Sequence, residues 1–152
     1  MGFELVKPTE GFLHPGTFLK KFGYTDDNER QYVRQIAKLA KNHQTRIRLL
    51  ADTDNTPHGF VALSLSHLLD SPCIVIDYLF TSKQYRGITF QELGMKISER
   101  LVDFAISTAT EINDKVPIRY IALMPGHDKL VSFYENWGFR NLGKTGWMYL
   151  RI

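Results

Sequence analysis

Two spacings of hydrophobic residues meet in the middle of the chain, between residues 73 and 106. Residues 74–80 form a mostly apolar run of β-branched, aliphatic and aromatic side chains that is too short for a helix of its own. From Phe90 onward the hydrophobic residues recur at helical spacing, with charged residues on the opposite side. The helical positions are Phe90, Leu93, Ile97, Leu101, Phe104 and Ala105. The pattern predicts a strand, a loop over residues 82–89, and an amphipathic helix that begins at Phe90.

Similar patterns predict the other elements of the chain. Strands are predicted over 3–6, 46–51, 59–66, 118–124, 139–140 and 147–150. A brief helix or a turn is predicted over 15–22, and helices are predicted after a cap at Asp26 or Asp27 and from Pro125 and Gly126 up to Gly138. The resulting order is β, α, α, β, β, β, α, β, α, β, β. This order predicts a mixed sheet with helices packed on it, in one α/β or α+β domain that covers residues 1–152.

Composition narrows the class of protein. The chain has 152 residues, 43% of them hydrophobic and 12% aromatic, which is enough for a buried core. The net charge is only +3 and no basic runs occur, so nucleic acid is not the expected partner. Cys73 is the single cysteine and has apolar neighbours, which predicts an inert buried thiol. Without a signal-peptide core or a membrane-length apolar stretch, a cytoplasmic protein is expected.

The loop over residues 82–89 carries the first candidate chemistry. Backbone amides at the start of a helix have no hydrogen-bond partner within the helix, and the helix dipole favours an anion there. Lys83 and Arg86 lie next to these amides in the sequence. The combination suits a pyrophosphate group. The alternative interpretation is an ordinary connection between a strand and a helix.

Two segments resemble the GNAT superfamily of acyl-CoA-dependent N-acetyltransferases. They read LFTSKQYRG, from Leu79 to Gly87, and KLVSFYENWGF, from Lys129 to Phe139. The resemblance implies a mixed, mostly antiparallel central sheet of six to seven strands, flanked by about four helices. It also implies acetyl-CoA as the acyl donor and no metal.

The resemblance implies a set of cofactor-binding residues. Backbone groups of Leu79 and Thr81 would hold the pantetheine arm, and the loop amides would hold the pyrophosphate. The full set is Leu79, Phe80, Thr81, Gln84, Tyr85, Arg86, Gly87, Ile88, Thr89, Phe90 and His127. The family loop usually reads Arg/Gln-x-x-Gly-x-Gly/Ala, and this chain departs from it because Thr89 and Gln91 occupy positions where a small residue is usual.

Two residues are candidates for the proton transfers that acetylation of an amine requires. Asp77 lies on the predicted central strand and is a candidate base, with a structural carboxylate paired to Arg119 as the alternative. Tyr134 matches the family's general acid, with a core tyrosine as the alternative. His127 is either a cofactor contact or a surface histidine at the start of a helix.

The sequence leaves three functions open. The first is an N-acetyltransferase that moves an acetyl group to a primary amine of a small molecule or a protein, by direct attack in a ternary complex. The second is a non-catalytic protein of this fold that binds a partner protein or CoA. The third is an acetyltransferase that acts on aminoacyl-RNA or a protein. The resemblance implies that residues 11–30 and the last hairpin select the acceptor. A homodimer is possible, and no membrane association is expected.

Overall fold

The computed structural model describes residues 2–152 and contains four helices and nine strands in that range. The helices are α1 (Pro15–Lys20), α2 (Asp27–Lys41), α3 (Ile97–Lys115) and α4 (Lys129–Asn136). The strands are β1 (Glu4–Val6), β2 (Arg46–Ala51), β3 (Pro57–Leu68), β4 (Ser71–Thr81), β5 (Thr89–Phe90), β6 (Met95–Lys96), β7 (Tyr120–Leu123), β8 (Arg140–Asn141) and β9 (Met148–Arg151). No helix among the described residues is long and apolar enough to cross a bilayer.

Seven of the strands form one sheet in the order β1-β2-β3-β4-β7-β9-β8, and β5 pairs with β6 alone. Strands β4 and β7 run parallel, whereas the pairs β1–β2, β2–β3, β7–β9 and β8–β9 are antiparallel. The predicted mixed, mostly antiparallel sheet with about four helices is therefore confirmed.

The chain divides into two compact units. The first comprises the chain up to Leu63 together with residues 78–104, and the second comprises residues 64–77 and 105–152. In the first unit, α1, α2, β2, β3 and the end of β4 share a core built around Phe18, Phe60 and Phe80, all nearly inaccessible to solvent. In the second unit, Cys73, Val75 and Ala122 form a smaller buried cluster, so the predicted burial of Cys73 is confirmed.

Helix α2 shows how local sequence sets an element. The side chain of Asp26 accepts a hydrogen bond from the amide of Glu29 at 2.9 Å, which confirms the predicted cap. Acidic residues lie in the first turn and lysines in the last, as the helix dipole favours. One face buries Val33, Ile36, Ala37 and Ala40 at helical spacing.

The prediction that the long helix begins at Phe90 is wrong. Phe90 belongs to β5, which pairs with β6 in a short hairpin, and α3 begins at Ile97. Phe90 accepts backbone hydrogen bonds from Leu93 and Gly94, and Gly94 has a φ of 69°, which breaks any helix at this point.

Candidate functional site

The carboxyl end of β4 extends beyond its parallel neighbour. The last pair in the β4–β7 register joins Ile76 to Leu123, where β7 ends, whereas β4 continues to Thr81. Phe80 is buried, and Leu79 and Thr81 are half-buried. The end of this strand is held in place, because the Ser82 amide donates to the His58 carbonyl at 2.9 Å.

Gly59 on β3 makes the close approach to this strand end possible. A Cβ atom on Gly59 would collide with the carbonyl oxygen of Phe80, and it would lie 3.1 Å from Ile97 and 3.2 Å from Thr81. Glycine therefore lets the end of β4 lie directly against β3.

Ser82 ties the loop after β4 to the connection between α1 and α2. Its hydroxyl oxygen accepts a hydrogen bond from the Gly23 amide at 2.7 Å and donates to the side-chain oxygen of Gln84 at 2.8 Å. The amide of Lys83 donates to the Gly23 carbonyl at 2.9 Å. Gln84, a predicted cofactor residue, thus has its side-chain oxygen occupied by Ser82.

Arg86 makes three side-chain hydrogen bonds within the first unit. Its Nε donates to the Thr81 carbonyl at 2.7 Å, Nη1 donates to the Thr25 hydroxyl at 2.6 Å, and Nη2 donates to Glu29 Oε1 at 2.8 Å. The guanidinium also lies 5.4 Å from the centre of the Phe80 ring. The predicted phosphate-binding arginine therefore fastens the end of β4 to the start of α2.

An aromatic cluster around His58 includes Tyr85, which belongs to the loop over residues 82–89. The rings of His58 and Tyr85 stack with centroids 3.7 Å apart, and Phe3 and Phe90 contact His58 edge-on at 4.8 and 5.4 Å. The cluster explains why Tyr85 and Phe90 are only partly exposed. These two predicted cofactor residues therefore pack against His58.

His58 lies at the centre of this cluster. Its Nε2 is 3.0 Å from Asp52 Oδ2, and the hydrogen bond from His58 is the main cause that lowers the pKa of the Asp52 carboxyl. Its Nδ1 is the one fully buried side-chain polar atom without a hydrogen-bond partner among residues 2–152. The contact with the Asp52 carboxylate suits a proton on Nε2, which then donates to Oδ2.

Two glycines expose the backbone of the connection between β4 and α3. Gly87 and Gly94 have φ angles of 73° and 69°, and a Cβ atom on either would meet nothing within 4 Å. Between them, Ile88 and Thr89 are exposed. The predicted loop 82–89 therefore ends before α3 begins. Gly94 lies three residues before α3 and is a candidate phosphate-site residue that the sequence analysis missed. Placing the family's glycine motif directly before the helical pattern that begins at Ile97 would have identified Gly94.

The start of α3 has part of its amide set satisfied internally. The Lys96 amide donates to Glu99 Oε1 at 2.9 Å, a side-chain cap of the first turn. The Lys96 amide is therefore not available to bind an anion at the start of α3.

Tyr134 is buried in α4. Its ring contacts Phe133 and Phe139 at centroid distances of 5.1 and 5.7 Å, and burial raises the pKa of its phenol to about 12. The hydroxyl makes no hydrogen bond within residues 2–152, yet it is not among the fully buried unpartnered atoms, so the oxygen retains some solvent contact. Gly138, with a φ of 98°, turns the chain after the helix and confirms the predicted stop.

Asp77 and His127 are not part of the aromatic contacts around Tyr134. Asp77 is half-buried and follows Ile76, the last residue of β4 that pairs with β7. His127 is exposed and lines an open surface depression with Asp128 and Lys129, just before α4. Among residues 2–152, no group of three or more His, Cys, Asp or Glu side chains could hold a metal ion.

Solved structures share this fold at low sequence identity. The AtaTR complex bound with acetyl-CoA matches with a TM-score of 0.77 and 15% identity, over 99% of this chain and 93% of that one. AtaT in complex with acetyl-methionyl-tRNAfMet matches with a TM-score of 0.75 and 14% identity, over 98% and 94%. A tyrosine-to-phenylalanine mutant of KacT matches with a TM-score of 0.75 and 15% identity, over 99% and 95%.

Searches by sequence give a different result from the search by structure. No family model matches the chain, and no curated protein matches it. The structures of AtaT and KacT nevertheless match the chain along nearly its whole length, with TM-scores of 0.75. The chain has the fold of the GNAT superfamily of N-acetyltransferases.

Proposed function

We propose that the chain is a single acetyltransferase domain that moves an acetyl group from acetyl-CoA to a primary amine by direct attack in a ternary complex. The observation that carries the proposal is the extension of β4 beyond Ile76, since backbone groups of Leu79 and Thr81 beyond the paired region suit the amides of a pantetheine arm. The acetyl-CoA bound in the AtaTR structure, which shares the fold, supports it.

The β4–α3 connection would bind the pyrophosphate. Gly87 and Gly94 have positive φ angles and would let a phosphate approach the backbone without a Cβ atom in the way. The amides of Leu93 and Gly94 donate to the Phe90 carbonyl, so the anion would meet other amides of the connection. The first turn of α3 adds amides other than that of Lys96. His127 and the exposed residues Ile88 and Thr89 remain candidate cofactor contacts.

The chemistry requires one bond to form and one to break. The neutral amine attacks the acetyl carbonyl carbon, the C–S bond breaks, and the CoA thiolate leaves. An alkylamine has a pKa of about 10.4 and is largely protonated at neutral pH, so a base is useful. Asp77, directly or through water, would accept that proton.

Tyr134 would act on the leaving sulfur. With its pKa raised to about 12, the phenol holds its proton more tightly than an ordinary thiol with a pKa of about 8.5. Complete proton transfer to the thiolate is therefore unfavourable. The phenol stabilises the sulfur by donating a hydrogen bond as its negative charge develops. The nitrogen loses a second proton when the C–N bond forms, and that proton passes through solvent to the thiolate, which leaves as the thiol.

The test is an acetyl-transfer assay with labelled acetyl-CoA and a panel of amine acceptors. The panel comprises alkylamines, polyamines, peptides with free N-termini and charged tRNAs. We expect labelled product with at least one class, and Tyr134→Phe should lower its rate of formation. Absence of acetyl-CoA binding by calorimetry at millimolar ligand would overturn the proposal, whereas binding without transfer to any acceptor would favour the non-catalytic alternative.

A second candidate places the acceptor amine on aminoacyl-tRNA. It is motivated by the complex of AtaT with acetyl-methionyl-tRNAfMet and by the net charge of +3. An α-amino group has a pKa of about 7.7, so far more of it is neutral at pH 7 than of an alkylamine, and less demand falls on the base. Rates that fall steeply with salt for charged tRNA, and not for small amines, would support this acceptor.

A further inference from the structure

We propose that Arg86 is a positioning residue that couples the donor loop, residues 82–87, to the acceptor segment, residues 23–29. The inference rests on the proposed function, in which the connection between β4 and α3 binds acetyl-CoA, and on the expectation that residues 11–30 select the acceptor. Acetyl-CoA binding would then order the acceptor segment.

The guanidinium geometry supports a specific link between these segments. Three acceptors within 2.6–2.8 Å receive hydrogen bonds from Nε, Nη1 and Nη2, one at the end of β4 and two at the start of α2. A planar guanidinium fixes all three directions together, whereas a lysine ammonium is a single point. The side chain is one-third exposed, so an incoming anion can reach it.

Glu29 carries the contact into α2. The same carboxylate oxygen that accepts from Arg86 also accepts from the Thr25 amide at 2.8 Å, and the Glu29 amide donates to the Asp26 cap. Arg86 therefore bonds directly to the side chain that closes the first turn of the helix. Loosening Arg86 leaves that carboxylate without its cation and weakens the turn.

Gly23 provides a second connection between the same two segments. Its amide donates to the Ser82 hydroxyl and its carbonyl accepts from the Lys83 amide. Because the acceptor segment is joined to the donor loop at both of its ends, a change in the order of one reaches the other. Gly23 forms one end of this link, and Thr25 and Glu29 form the other.

Strand β4, along which the pantetheine arm of acetyl-CoA would bind, connects Arg86 to the ligand. The carbonyl that accepts from Arg86 Nε belongs to Thr81, the last residue of β4. A pantetheine arm along β4 would hold this residue and thereby hold Arg86.

The experiment is hydrogen exchange measured by mass spectrometry, with and without acetyl-CoA. In the wild type we expect acetyl-CoA to slow exchange in the donor loop and in the acceptor segment. In Arg86→Gln the donor loop should remain protected, while protection of the acceptor segment falls about tenfold. Arg86→Lys should not restore it. Arg34→Gln, at an exposed α2 position, is the matched control and should behave as the wild type.

A ligand-free double-mutant cycle tests the link independently. Arg86→Gln should speed exchange at residues 23–29, Glu29→Gln should speed exchange at residues 82–87, and the double variant should add little to either. Acceptor-segment protection that survives in Arg86→Gln would overturn the coupling. If acetyl-CoA does not protect the wild-type donor loop, both the proposed function and the ligand-driven step are overturned. If the two substitutions have additive effects in the ligand-free cycle, the proposed link between Arg86 and the acceptor segment is overturned.

Discussion

Burial determines what Tyr134 can contribute at the scale of single residues. The phenol gains its high pKa from desolvation, so it stays protonated across the pH range in which the protein would work. A group with a raised folded-state pKa adds stability below its unfolded pKa of about 10, and this contribution is lost as the pH rises toward 12. Tyr134 therefore offers a constant hydrogen-bond donor at neutral pH.

Tyr134→Phe should lower kcat about 10- to 100-fold and leave the Kd of acetyl-CoA nearly unchanged. The ring and its contacts remain, and only the donor to the sulfur is lost. The decrease should be independent of pH between 6 and 9, as measured by steady-state kinetics and calorimetry. Tyr120→Phe, which removes a half-buried phenol from β7, is the control, and an equal loss in that variant would contradict the assigned role.

Gly59→Ala should destabilise the protein by about 3 kcal/mol. The added methyl group would collide with the Phe80 carbonyl, and backbone cannot yield as a flexible side chain does. Urea unfolding measures the difference. Gly11→Ala is the matched control, because a Cβ atom there meets nothing within 4 Å, and a change below 1 kcal/mol in Gly59→Ala would show that β4 relaxes away from β3.

At the scale of elements, local pattern predicted most of the fold. The strand over 46–51, the cap at Asp26 and the turn at Gly138 follow from neighbouring residues, and the structure confirms them. The β5–β6 hairpin did not follow, because Phe90 and Leu93 happen to fall at helical offsets from Ile97. Phe90 is fixed instead by Phe3 and His58, which are remote in sequence.

The candidate site was predicted less completely than the fold. The YRG and FYENWGF segments predicted site residues in one loop and one helix, but the partners of Arg86 include Thr25 and Glu29, about 60 residues away in the chain. No local pattern encodes which distant carboxylate a guanidinium meets. The roles of the predicted site residues stay predictions.

Gly94→Ala should raise the Kd of acetyl-CoA about tenfold and cost about 1 kcal/mol of stability, since alanine is strained at a φ of 69°. Gly143→Ala is the matched control, because Gly143 also has a positive φ and open space at its Cβ position but lies in the β8–β9 connection. We expect a similar stability loss there with unchanged affinity. Calorimetry separates the two effects, and equal affinities in both variants would exclude Gly94 from the phosphate site.

At the scale of the whole molecule, the fold is shared with structures that are only 14–18% identical. A site built from backbone amides and carbonyls depends on strand order and loop course more than on side chains. Such a site tolerates wide sequence divergence, provided that its glycines and its strand extension persist. The proposed site is of this kind, and it is compatible with a shared fold that no family model matches.

Acetyl-CoA at 100 times its Kd should stabilise the folded protein by about 2.7 kcal/mol and raise Tm by about 5–10 °C. The gain follows because the ligand binds the folded state alone. Differential scanning fluorimetry measures it. ATP at the same concentration is the control for a general polyanion effect, and an equal shift with ATP would indicate charge attraction without recognition of the thioester arm.

The seven-stranded sheet terminates in β1 and β8, which contain three and two residues. Unpaired edge strands can pair with other chains and so promote aggregation and fibril growth. Short edge strands offer few backbone groups for such pairing. The protein should therefore stay dispersed at high concentration, and light scattering during prolonged storage should stay flat.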